Sequence, residues 1–466
     1  MDEQKRFLRN IQGDVWPRLP KKAETFYFFT IVDVPKFKKQ LADFIPSITT
    51  GAEAKSVRSD LYKRKAKGQK SLIQLSSINI SFSYSGLAKL GKTDVGDDLF
   101  RGGQYQDMVT GGLDDPQDWD KVWTGYNGSI DGVFLVTGNS LAVVEDTFLG
   151  LVQPTFSEGG PTTGMKIVHT ESGTVQKDDK EHFGWVDGIS EPLVKGLEEK
   201  TKEKDLDPVP AGVFFIGGED DYTNAPAWAK DSSFMVFRRL RQLVPEFTMW
   251  CAMNAGSGDF NVIRLFSSRV VGRWPDGAPI DKYPTHAPHD GEPEHEVQKE
   301  NDFDFGPDVH KQARCPFASH IRKVRPRKDF PDDANAMIRR GIPYGEWTEV
   351  EEKRGGSTLK RRGLLFVSYQ ANLRGGFHFV MKEWANKNGF PDDKFEACGG
   401  EGPGIDPIIG QVRKYPGKAN IPDAKDLKEA GDVNTRYVDV QKFVIPEGGE
   451  YFFTPSISAL RDTLCK

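Results

Sequence analysis

Cysteine is scarce in this chain: four residues in 466, at Cys251, Cys315, Cys398 and Cys465, with no CxxC pair among them. That spacing excludes the usual structural zinc sites. So few thiols fit a reduced compartment, and are equally compatible with one or two disulfides in a secreted protein. Long apolar runs are missing too. The most apolar stretches, 25–34 and 363–369, have strand length, well short of the roughly 18 residues a membrane-spanning helix needs. Nor is there a long basic block. The 63 basic and 68 acidic residues are mixed along the chain for a formal net charge of −5, so nucleic acid is not an expected partner. The first ten residues, MDEQKRFLRN, carry no apolar signal core, which fits either a chain without a secretory signal or a mature form given a start methionine. What is present is 37% hydrophobic and 11% aromatic residues, enough for real cores in a chain whose length implies two or three domains.

The apolar pattern indicates alternating strands and helices. Thr25–Val34 is dense in aromatic and β-branched residues and reads as a strand. Pro35–Phe44 has helical spacing at Phe37, Leu41 and Phe44. Ser77–Tyr84 alternates Ile78, Ile80 and Phe82 with polar residues, and Ser85 offers a cap for the short helix that follows. Gly132–Val136 and Leu141–Val144 are apolar runs of strand length. These elements predict an α+β domain within residues 1–200. Residues 201–231 are charged and rich in turn formers and read as a linker or surface excursion. The pattern restarts over 232–466 with Ser233–Leu243, Leu364–Tyr369, a helix-like Gly376–Asn386 and Gly449–Thr454. A duplicated α+β unit is the simplest architecture, with a long polar stretch at 272–313 of the kind that is often functional.

Three segments could carry chemistry. Cys315–Arg327, CPFASHIRKVRPR, holds His320 among Arg322, Lys323, Arg325 and Arg327. A neutral imidazole beside clustered cations suits a metal inside an anionic cofactor, and haem, with its iron and two propionates, meets both requirements. The bland alternative is a solvated basic turn. Glu181–Pro192, EHFGWVDGISEP, sets Asp187 between Gly184 and Gly188. There the backbone can approach a flat ligand closely, and a carboxylate could move a proton between the oxygens of peroxide. Alone, it is an Asp-Gly turn. Met337–Glu346, MIRRGIPYGE, contains Arg339 and Arg340. A permanently charged guanidinium could stabilise charge as the O–O bond breaks, or the pair could be ion-pair partners at a helix end.

Taken together these segments resemble the dye-decolorizing peroxidase family, in its fungal branch. The resemblance runs through IQGD at 11–14, FSYSGLAKLG at 82–91, GVFLV at 132–136, HFGWVDGIS at 182–190, FMVFRRLRQ at 234–242, CPFASHIRK at 315–323, RRGIPYG at 339–345, LLFVSYQ at 364–370 and DPIIGQ at 406–411. It implies a duplicated ferredoxin-like (βαββαβ-type) fold with antiparallel sheets and haem b held mainly by the C-terminal half. It further implies His320 as the proximal iron ligand, with Asp187 and Arg339 acting on hydrogen peroxide. Leu364 and Phe366 would wall the distal pocket, Asp406 would hydrogen-bond the proximal imidazole, and Arg327 would pair a propionate. Bulky dyes and phenolic or aromatic compounds would not fit a pocket sized for peroxide. The resemblance offers Tyr344 and Trp384 as surface electron-transfer sites, and the group Glu346, Glu349, Glu351 and Glu352 is a candidate for manganese(II). By the same likeness the protein is extracellular.

Other readings remain at this stage. A haem carrier, or a relative of the chlorite dismutase group, would have no need of the Asp187 and Arg339 pair. A non-haem metal site could use His286, His289 and His295 in THAPHDGEPEH, although that stretch lacks the helical HxxxH register. A carbohydrate- or protein-binding module has only the nine tryptophans in its favour.

Overall fold

In the computed structural model, residues 2–68, 75–124, 130–157, 163–176, 179–200, 206–288, 300–330, 333–411, 417–422 and 436–466 are described. The aromatic run at Thr25 forms strand β1 (Ala23–Ile31), buried on both faces. Asp33 caps the next helix, Val34–Phe44, accepting from the Lys36 amide, and Phe37, Leu41 and Phe44 turn inward as their spacing requires. β2 (Ser76–Phe82), β3 (Gly132–Gly138) and β4 (Met165–Thr174) complete the first unit. Two local expectations are corrected. Ser83, not Ser85, caps the helix Tyr84–Lys89, its hydroxyl accepting from the Gly86 amide. Leu141–Val144 is no strand but the start of the helix Leu141–Thr147, capped by Ser140. Four apolar residues are too few for periodicity to separate the two, and the capping hydroxyl decides.

The second unit is built from β5 (Ser233–Gln242), β6 (Ile338–Arg339), β7 (Ile342–Tyr344), β8 (Gly363–Gln370) and, after a separate ribbon of β9 (Gly417–Asn420) and β10 (Tyr437–Val440), β11 (Val444–Thr454). The expected helix at Gly376–Asn386 is two π-helical turns, Arg374–His378 and Val380–Ala385. Strand order is β4-β1-β3-β2-β11-β5-β8-β6, with β7 also on β8. With β6 and β7 counted as one interrupted strand along β8, both units repeat one neighbour order, fourth-first-third-second, in antiparallel pairing. This is the duplicated ferredoxin-like α+β fold the sequence implied. The halves are stitched where Phe453 of β11 opposes Phe82 of β2. The far edges also meet: a Cβ on Gly173 of β4 would lie 2.6 Å from Ile342 Cγ2 of β7, so only glycine permits the approach.

The core runs across the boundary between units. Phe26 and Phe28 of β1 pack on Phe237 of β5 at 4.8 and 5.0 Å between ring centroids. Residues 206–231 likewise depart from the linker reading. Val209, Phe214, Phe215 and Ile216 are buried in the same core, because a charged segment that contains an apolar triplet buries that triplet wherever the sheet leaves space. All four cysteines are free.

Candidate active site

The helix His320–Val324 is one and a half turns long, and two buried cations hold it. Arg322 donates from Nε to Asp329 Oδ2 at 2.6 Å and from Nη2 to the Asp308 carbonyl at 2.8 Å. Lys323 Nζ donates to the carbonyls of Lys387, Phe390 and Gly404 at 2.6 to 2.8 Å. Neither is available as counter-charge for a cofactor, contrary to the sequence reading. They pin one side of the helix and leave His320 facing a cavity that contains about 1600 Å³ of unfilled space, its mouth included.

His320 Nδ1 is 2.8 Å from Oδ2 of the fully buried Asp406. The other carboxylate oxygen accepts from the amides of Ile408 and Ile409 at 2.8 and 3.1 Å, so the acceptor is fixed in place. With Nδ1 engaged, Nε2 is the nitrogen left for a metal. Burial works against a charged imidazole, yet Asp406 outweighs it and raises His320 above the ordinary histidine value.

Asp187 lines the same cavity. Gly184 and Gly188 on either side have φ of +105° and +76°, conformations that favour glycine. The carboxylate Oδ1 accepts from Arg339 Nη1 at 3.0 Å and from the Gly188 amide at 2.6 Å. Burial pushes the Asp187 carboxyl up, but the Arg339 guanidinium, the Gly188 amide and His320 together hold it below the usual carboxylate range. The two arginines are not at a helix end. β6 pairs Arg339 with Ser368 of β8, and successive side chains diverge. Arg339 thus reaches the cavity, while Arg340 is buried against the carbonyls of Asp14 and Val15 and against Glu191. Leu364 and Phe366 of β8 also line the cavity, with Leu365 and Val367 turned into the core between them.

Arg327 does not line this cavity. Its guanidinium donates to Asn301 Oδ1 at 2.6 Å and to the Phe303 carbonyl, and it lines a smaller adjoining cavity with about 830 Å³ of unfilled space. Arg325 lines both cavities, and Arg273 lines the larger. Burial lowers Arg273 to about 10, and burial with Arg273 and Arg325 nearby lowers Arg327 well below its ordinary value. Three crowded guanidinium groups, with Arg327 Nε lacking a partner, are a place for added negative charge. Arg325 sat in the cationic segment singled out above. Arg273, in the polar stretch, had no signal in the sequence.

Other candidates are redistributed. Tyr344 and Trp384 are not surface groups: they are 6% and 3% exposed, because Tyr344 sits under the Arg239 guanidinium and Trp384 packs between Phe330 and Phe390. Glu352 is buried against Arg362, and Lys360 bonds Glu346 and Glu349 at 3.0 and 2.5 Å. With these cations in place, Glu346, Glu349, Glu351 and Glu352 do not form a metal cluster among the described residues. His286 is exposed beside Thr285, while His289 and His295 lie outside the described residues.

Two family models match this chain: the DyP dimeric alpha+beta barrel domain over residues 10–174 and the Dyp-type peroxidase C-terminal domain over 267–397. A dye-decolorizing peroxidase of Exidia glandulosa is 36% identical over 98% of this chain and 86% of its own. The chain belongs to the dye-decolorizing peroxidase family. It is therefore a haem-dependent peroxidase with hydrogen peroxide and aromatic compounds as its substrates. An ancestral D-type dye-decolorizing peroxidase superposes with a TM-score of 0.87 at 39% identity, covering 98% of this chain and 99% of that one. A dye-decolorizing peroxidase with a heme pocket engineered for asymmetric sulfoxidation does so at 0.83 and 33% identity, covering 98% and 100%. Among the described residues no helix is long and apolar enough to cross a membrane.

Proposed function

We propose that the cavity binds haem b, with His320 Nε2 as the iron ligand, and that Asp187 and Arg339 carry out the proton and charge work of peroxide reduction. The observation that carries this reading is the juxtaposition on one cavity wall system of an imidazole backed by Asp406 and an Asp187–Arg339 pair at 3.0 Å. The donor set fits the group: a free ring nitrogen for iron, apolar walls at Leu364, Phe366 and Ile409 for the macrocycle, and Arg273, Arg325 and Arg327 near its edge for propionates. When bound, haem supplies the two-electron reduction of peroxide and the later one-electron oxidations. Asp187, ionised through its contact with Arg339, takes a proton from one peroxide oxygen and returns it to the oxygen that leaves as water. Arg339 orients peroxide and stabilises charge as the bond breaks. Asp406 keeps His320 in one tautomer and makes it a stronger donor.

Bulky dyes donate electrons from outside. Trp384, although buried, lines a separate outer cavity with about 640 Å³ of unfilled space and would pass electrons from a molecule bound there. Replacing it by Phe should reduce turnover of bulky dyes while sparing small phenols; equal loss on both would remove it from the route. Manganese(II) does not enter this reading, since Lys360 pairs with Glu346 and Glu349 and Arg362 with Glu352, three of the four glutamates. As for its fungal relatives, we place the enzyme outside the cell.

The decisive test is the absorption spectrum of the haem-loaded protein before and after one equivalent of hydrogen peroxide. His320→Ala should lose or displace the Soret band. Asp187→Asn should retain it and react with peroxide about 100-fold or more slowly; an unchanged rate would refute its role.

A further inference from the structure

The π-helical turn Arg374–His378 is a wall between two cavities. Phe377 lines the haem cavity, and its neighbour His378 lines the outer cavity that Trp384 shares. Behind this turn lies Tyr451 of β11, fully buried, its ring 6.2 Å from that of Phe377. Its hydroxyl donates to Asp107 Oδ2 at 2.6 Å, and Asp107 Oδ1 is 2.8 Å from His378 Nδ1. Phenol, carboxylate and imidazole thus form an unbroken chain from the ring packed on the inner cavity wall to the side chain lining the outer one.

Packing alone does not account for this arrangement. A phenylalanine would fill the space at 451 without burying a hydroxyl and a carboxylate together, which is costly unless both are fully satisfied. Burial, reinforced by Asp107, pushes the Tyr451 phenol well above its ordinary range, so in its resting state the ring is neutral. A phenol that loses an electron becomes a strong acid and must hand its proton to an adjacent base, and Asp107 is placed to receive it. Two other buried tyrosines lack part of this design. Tyr369 also bonds a carboxylate, Asp14, at 2.9 Å, but among the described residues no side chain lining the outer cavity bonds that carboxylate as His378 bonds Asp107. Tyr344 is 3.4 Å from Glu447, whose own partners are Arg239, Arg241 and Arg361 rather than a side chain of the outer cavity.

We propose that Tyr451 is a proton-coupled electron relay, with Asp107 as its proton acceptor, between the haem cavity and an electron-rich aromatic donor seated against His378; the proposal rests on the peroxidase reading of the inner cavity. In the first step Tyr451 gives one electron, across Phe377, to the peroxide-oxidised cofactor and its O–H proton to Asp107 Oδ2, leaving a neutral tyrosyl radical and a carboxylic acid. In the second, a phenol or aromatic amine in the outer cavity gives one electron and Asp107 returns the proton. The phenol is restored and the donor leaves as its one-electron-oxidised form. His378 is a positioning residue, its Nδ1 2.8 Å from Asp107 Oδ1 and holding the other carboxylate oxygen aimed at the hydroxyl.

The test uses the haem-loaded enzyme, mixed with one equivalent of hydrogen peroxide, frozen, and examined by electron paramagnetic resonance alongside its absorption spectrum. The wild type should give a tyrosyl signal whose hyperfine structure collapses with ring-deuterated tyrosine. Tyr451→Phe should lose that signal while its haem absorption still responds to peroxide. Asp107→Asn, which keeps an acceptor of similar shape but removes the base, should cut the signal at least tenfold. The same tyrosyl signal in Tyr451→Phe, or none in a wild type whose haem responds, would overturn the relay and leave the peroxidase reading intact. A haem spectrum indifferent to peroxide would overturn both.

Discussion

In the proposed mechanism Asp187 serves as a base because of what surrounds it. The protein groups crowded around this carboxyl favour its protonated form, although its side chain still faces the open cavity; the Arg339 guanidinium at 3.0 Å reverses that tendency. Because the shift is downward, the ionised form persists at pH values where an ordinary aspartate begins to protonate, so reaction with peroxide should stay fast into acid solution. Arg339→Leu removes the main force opposing burial. Besides lowering the rate, it should move the acid limb of kcat/KM for peroxide to higher pH. A limb that stays in place would show that Arg339 does not govern the Asp187 proton.

At the scale of elements, the short helix His320–Val324 cannot stand alone, since one and a half turns are below the length at which an isolated helix persists. Arg322 fixes it by tying Asp329, Asp308 and the Cys315 carbonyl around a fully buried guanidinium. Removing the guanidinium leaves the buried Asp329 with Lys394 at 3.3 Å as its remaining cation, at a cost of up to about 3 to 5 kcal/mol. Arg322→Ala should therefore lower the urea midpoint by a corresponding amount and weaken haem retention together with it. Unchanged stability would mean that the turn 316–319 alone sets the helix. β6 and β8 do the equivalent on the other side of the site, where strand alternation presents Arg339, Leu364 and Phe366 to the cavity.

On the scale of the whole molecule, the two units share one sheet and one aromatic core, while a separate cluster around Trp274, Ile280 and Phe305 buries charges of its own that bear on the stability of the fold. Asp281 is one of them: burial raises it to about 6 against the partial pull of Arg322 and Arg314, and its Oδ1 has no partner among the described residues. A carboxyl raised on folding binds its proton more tightly in the folded state, so stability falls as pH rises from about 4 to 6, by up to about 3 kcal/mol for a shift of this size. Asp281→Asn lacks that loss. Its Tm should gain on the wild type between pH 4 and pH 7.5; parallel curves would contradict the shift.

What the sequence determined by itself was chemistry bound to local order. The glycines around Asp187, the lone histidine in CPFASHIRK and the alternation of LLFVSYQ each encode a backbone shape or a face, and the order of these segments carried the family and the duplicated fold. Only the tertiary structure decided which charges are spent on architecture. Arg322, Lys323, Arg340 and Glu352 look no different in sequence from Arg339 or Asp406, but the first four are consumed by buried partners. It also decided that Tyr344 and Trp384 lie beneath the surface, and that Tyr451, Asp107 and His378 meet although 344 positions separate the first two. The physical reason is the same in each case. Burial and partner distance are set by pairings between remote segments, and a linear pattern specifies the face a residue occupies without specifying what packs against it.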